Sequence, residues 1–156
     1  MPYPNTNAQR PAQQGYGQRP QAPDINTADI RLGSDISDLL YADIAEDKAK
    51  FLAETSRDAN KGTQLRRFYD ELNLWNEKVN SVSGQDERQA RYKEFAALIK
   101  MLNAKVAYAR GRKHVDKNFE KLLRHVVGQI KDPATLVQAK LFMEAFMGFY
   151  KAYNPK

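Results

Sequence analysis

From about residue 35 to residue 153, apolar positions recur along this chain with the period of a helix, and no segment alternates with the period of two that marks a half-buried strand. The densest stretch runs from Phe95 to Lys113. There Phe95, Leu98, Ile99, Leu102 and Val106 share one side of a helical wheel, and Ala97, Met101, Ala104 and Tyr108 share another. A helix apolar on two faces belongs at the centre of a bundle. The spacing predicts that it runs from Asp86 to Arg112 and ends near Gly111, a residue suited to the left-handed conformation that closes many helices.

Four further helices follow from the same period. Ile36, Leu39, Leu40, Ile44 and Leu52, behind Ser34 or Asp35 as the cap, predict a helix to Ala53 or Glu54. After a loop over residues 56–62, Thr63 is placed to cap a helix to Val79 with Leu65, Phe68, Leu72, Trp75 and Val79 as its stripe. SVSGQ, residues 81–85, breaks the pattern. Asp116 caps a helix carrying Phe119, Leu122, Leu123, Val126, Val127 and Ile130 on one side. Asp132 and Pro133 form a cap and first-turn pair for a last helix to Tyr153, apolar nearly all round. The fold class is all-α, a compact bundle of about five helices formed by a single domain over residues 24–156. Residues 1–23 hold Pro, Gln, Asn and Gly with only Arg10 and Arg19 charged, too little apolar material to offset the entropy of ordering, and are predicted to be a disordered tail.

Composition narrows the function. A chain of 156 residues with 42% hydrophobic content suffices for one core. The absence of cysteine excludes disulfides and thiolate chemistry. No apolar run approaches the roughly 20 residues of a membrane span, and MPYPNTNAQR lacks the apolar core of a signal peptide. The expected location is the cytoplasm, with no membrane partner. No phosphate-cradling Gly-rich loop, Cys or His metal pattern or serine elbow is present, and His114 and His125 are not spaced as ligands on one face. Asp43, Glu46 and Asp47 read as a solvated acidic face. The chain is expected to be no enzyme and to need no cofactor or metal.

Charge then points to a partner. The 25 Lys and Arg exceed the 19 Asp and Glu by six, and the surplus is local. Residues 100–131 hold nine bases (100, 105, 110, 112, 113, 117, 121, 124 and 131) against two acids (116 and 120), a surplus of seven in one stretch. Lys105, Arg110, Arg112 and Lys113 gather at one helix end, where a single cation would satisfy the helix dipole, and four repel one another unless an anion is near. Lys117, Lys121, Arg124 and Lys131 continue the stripe. Arg66 and Arg67 can each pair four residues on with Asp70 and Glu71, in exposed pairs worth about 0–1 kcal/mol that leave the arginines available. These residues suit a sequence-neutral grip on a nucleic-acid backbone.

Gln64 to Tyr69, QLRRFY, then Lys100 to Lys113, KMLNAKVAYARGRK, and an aromatic last helix around Phe142, Phe146 and Tyr150 together resemble the small-subunit family of the type III-A CRISPR effector, the Csm complex. The resemblance covers roughly Asp43 to Tyr153. It implies a non-catalytic helical protein in several copies, stacked along a filament of repeated backbone subunits that hold the guide RNA, with the large subunit as a further partner. Target cleavage then belongs to the backbone subunits. Carried onto this chain, Arg66, Arg67, Lys105, Arg110, Arg112 and Lys113 contact the phosphates of target RNA paired with guide RNA, while Tyr108 and Tyr150 pack. Lys121 and Arg124 extend that RNA-binding surface by charge alone. The same residues also fit a stand-alone helical nucleic-acid-binding protein. A third reading is a helical protein-interaction module docking through its last helix. Steep loss of affinity with salt separates the first two readings from the third, and co-purification with guide RNA separates the first from the second.

Overall fold

The Asp132–Pro133 start predicted for the last helix is built in full. In the computed structural model, which describes residues 23–155, the Asp132 carboxylate accepts the Thr135 N–H at 2.7 Å and the Thr135 hydroxyl accepts the Asp132 N–H at 3.1 Å. Burial pushes the Asp132 carboxyl upward, but the bonds from Thr135 and the charge of Lys131 outweigh it and hold the group below its ordinary value. Replacing Asp132 with alanine is expected to cost about 1 kcal/mol, read as a lower urea midpoint. A depressed carboxyl stabilises fully above its unfolded pKa, and that contribution is lost as pH falls through the folded one. The midpoints of wild type and variant should therefore converge in strong acid.

The described residues form five helical rods, the third of which is divided, and no strand. They are α1 (Ala45–Thr55), entered through a π-helical turn at Leu40–Ile44, then α2 (Gly62–Asn80), α3 (Gln85–Lys100), α4 (Leu102–Gly111), α5 (Lys117–Gly128) and α6 (Pro133–Tyr153). No helix among them is long and apolar enough to cross a membrane. The central element is α6, which meets α1, α2, α3 and the π-helical turn. Its Leu136, Ala139, Phe142, Met143, Phe146 and Tyr150 are buried, and Phe68, Phe119, Phe146 and Tyr150 run through the core as successive rings 5.6, 6.4 and 5.7 Å apart. The first two pairs are tilted and the third is stacked, and such pairs add to the gain from apolar burial.

The stretch 95–113 is not the centre. Its rod is interrupted at Met101, although the Met101 N–H still reaches the Ala97 carbonyl and the Lys105 N–H reaches that of Met101, both at 3.1 Å. Ile99, Leu102 and Val106 face the core. The second apolar face lies in solvent, with Met101 51% and Tyr108 67% exposed and Ala97 and Ala104 exposed beside them. The wheel ranked faces by apolarity, whereas packing was decided by α6, which is apolar over more of its circumference.

The helix predicted from residue 35 begins only at Leu40, and residues 23–39 form an irregular strap whose first part, residues 23–33, is bound across α5 and α6. Ile25 and Ile30 of the strap are buried in the core. Asn118 accepts the Ile25 N–H and donates to the Pro23 carbonyl, Gln129 accepts the Leu32 N–H and donates to the Ile30 carbonyl, and Gln138 clamps both backbone groups of Gly33. On the other side, Lys48, its side chain 3% exposed, pairs with Asp29 at 2.9 Å. Apart from Pro23, the tail predicted over residues 1–23 lies outside the described residues.

Candidate nucleic-acid interface

The cationic junction begins where α4 stops. The His114 N–H bonds the Ala109 carbonyl and the Lys113 N–H bonds the Arg110 carbonyl, both at 2.9 Å, the two-bond closure in which the residue after the cap turns left-handed. That residue is Lys113, with φ of 63°, and not Gly111, which is the last helical residue. A lysine in this conformation is strained relative to glycine. It sends a positive side chain outward at the negative end of the helix dipole.

Asn60 holds the junction in place. Wholly buried and also left-handed (φ 63°), it donates its N–H to the His114 carbonyl at 3.0 Å and accepts the Asp116 N–H on its side chain at 2.9 Å. Its carbonyl accepts the Tyr150 hydroxyl. Asp116 then caps α5 as expected, accepting from the N–H groups of Asn118 and Phe119. Thr63 does not cap α2: Lys61 occupies that position and supplies no side-chain bond.

Folding brings acids to several of the predicted cations. Lys105 pairs with Glu71 of α2. Arg110 binds Glu120 at 2.7 Å, and Arg124 approaches the other oxygen of the same carboxylate at 3.8 Å. Glu120 is buried, so its charge is neutralised from both sides. Lys121 donates to the Ile25 carbonyl at 2.7 Å, and Lys117 pairs with Asp24 at 3.0 Å, holding that carboxyl below its ordinary value. With His125, which meets the Ile30 carbonyl at 2.8 Å, they form a row at four-residue spacing whose polar groups are taken by the strap.

What remains is a smaller cationic set. Arg112 lies over the Tyr108 ring, 5.8 Å from its centroid, and donates to its hydroxyl at 3.2 Å. Tyr108 is therefore an exposed partner of an arginine and not the packing residue expected, whereas Tyr150 is buried as expected. Arg67 sits one helical turn before Glu71 and thus on the side of α2 that faces Lys105. Arg112, Lys113 and Arg67 have no acidic partner among the described residues. Arg66, 100° around the helix from Arg67, lies apart on the α6 side of α2, with only a loose contact of 3.8 Å to Asp70.

A family model, Csm2 Type III-A, matches residues 36–156. The chain belongs to the Csm2 family. It is thus a small subunit of the type III-A Csm complex. No match was found among curated proteins or among solved structures. The Csm2 match starts at Ile36, so the strap residues 23–35 that cover α5 lie outside it. Within the Csm2 domain, reasoning from sequence missed Tyr108 as a stacking group, Glu120 as a buried counter-charge and Asn60 as the anchor of the junction. Only Asn60 carried a local signal, an asparagine in a short loop between helices, the residue type that tolerates a left-handed backbone.

Proposed function

We propose that this Csm2-family subunit is non-catalytic and grips the sugar-phosphate backbone of target RNA paired with guide RNA, through the end of α4 and the adjoining side of α2. The observation that carries this reading is the trio Arg67, Arg112 and Lys113, left without acids among the described residues in a fold that pairs Lys105, Arg110 and Arg124 with Glu71 and Glu120. Lys105, Arg110 and Arg124 form the second rank, half-neutralised and stiffened by Glu71 and Glu120. Lys121 is committed to the strap, and Arg66 belongs to another surface. Contacts to phosphate position a duplex without reading it, which suits an assembly in which base pairing with the guide supplies the specificity. Neighbouring copies and the repeated backbone subunits are the protein partners in this reading, and Leu98 and Met101 are among the exposed apolar side chains open to them.

Two variants of the reconstituted complex test it. Lys113→Gly should raise the stability of the subunit by about 0.5–1 kcal/mol, since glycine adopts the left-handed backbone without strain, while target-RNA capture falls several-fold. Opposite movements are not what a general folding defect produces. Arg67→Ala with Arg112→Ala should weaken capture and make the plot of log affinity against log salt shallower by about 1.4–1.8, roughly 0.7–0.9 per lost phosphate contact. Unchanged capture and slope in a folded, incorporated variant would remove these residues from the interface.

A further inference from the structure

A groove of about 510 Å³ opens between the first turns of α2 and the last turns of α6. Both walls carry a glycine, Gly62 on α2 and Gly148 on α6. Glycine in a helix interior costs about 1 kcal/mol relative to alanine. Gly148 does not have a positive φ, and a Cβ at either position would meet nothing within 4 Å. Neither backbone geometry nor packing inside the chain accounts for the missing side chain at Gly148. Its consequence is room in the groove.

The lining has a definite chemistry. Arg66 and Lys151 bring two positive charges, and Tyr69 and Met147 add apolar surface. The one acid in the lining, Glu144, is engaged by Lys140 at 2.7 Å. Two cations against one engaged acid favour a phosphate over a single carboxylate. The size falls within the range of small-molecule sites, about 300–1,000 Å³.

We propose that this groove binds a nucleotide, with its phosphate on Arg66 and Lys151 and its base against Tyr69 and Met147, the space being provided by Gly148. The uncapped first turn of α2 adds N–H donors on the phosphate side. Burial, and then the charge of Glu144, push the Tyr69 phenol up, so at neutral pH its hydroxyl remains a donor. The same chemistry is offered by a free mononucleotide and by one nucleotide of an RNA strand. None of the residues lining the groove belongs to the α4 grip, although Tyr150 connects the two through Asn60.

The test is a titration of the full chain, followed by backbone amide NMR shifts, with adenosine monophosphate, adenosine and a short single-stranded RNA without terminal phosphates. Saturable shifts at Gly62, Thr63 and Gly148 with the monophosphate, and affinity for adenosine weaker by about tenfold or more, are expected. A saturable response at those amides to the RNA as well assigns the site to an RNA strand, and a response to the monophosphate without one assigns it to free nucleotide. Gly148→Leu should abolish those shifts while leaving the circular dichroism intact, because its side chain enters open space. Arg67→Ala with Arg112→Ala should leave them unchanged, which separates this site from the α4 grip. Shifts confined to residues 105–113, binding indifferent to Gly148→Leu, or an equal response to an acidic peptide would each overturn the proposal.

Discussion

Replacing Ile30 with alanine is expected to destabilise the protein by about 2–5 kcal/mol, as much as a large-to-small change in a helical core. Ile30 lies in a segment without regular secondary structure and outside the Csm2 family match. Nevertheless its side chain is wholly buried, and its carbonyl receives both His125 and Gln129 at 2.8 Å. A truncated side chain leaves a cavity beneath a strap held mainly by amide clamps. The single tryptophan, Trp75, packs 5.4 Å from Phe95 between α2 and α3, so its fluorescence in a urea titration reports the helices and not the strap itself. A midpoint loss seen at Trp75 shows that the strap and the bundle unfold together. A loss below about 1 kcal/mol would make the strap an appendage.

Phe146→Asp is expected to prevent folding and incorporation into the complex. Phe146 is wholly buried on α6 between Phe119 and Tyr150. Losing the ring costs about 3–5 kcal/mol by itself, and the carboxylate adds a buried charge with no partner. Together these rival the whole stability of a small domain, about 5–15 kcal/mol. Phe146→Leu, which keeps apolar volume, should fold with a lower melting temperature. A normal melting temperature for the aspartate variant would show that α6 does not carry the core.

The rods were legible because their apolar period is local, as were the caps at Asp116 and Asp132, which act within three residues. Met101 was not legible as a break, since no Pro or Gly marks it. The strap escaped because side-chain amides bind it to α5 and α6 from 93 to 105 residues away in sequence, and such pairing leaves no period. The site was partly legible for a similar reason. The surplus of positive charge in residues 100–131 is a property of the sequence, but Glu71 reaches Lys105 only in three dimensions. Arg66 and Arg67 are adjacent in the chain, and the 100° step between neighbours sends them to different surfaces.

The most direct test of the central claim is to photocross-link target RNA to the assembled complex containing guide RNA and to sequence the peptides of this subunit that carry nucleotide. Adducts are expected on the peptides spanning Lys105 to Lys113, with Tyr108 the most reactive position, and on the α2 peptide bearing Arg67. Adducts absent from both, with the subunit incorporated and target RNA captured, would contradict it.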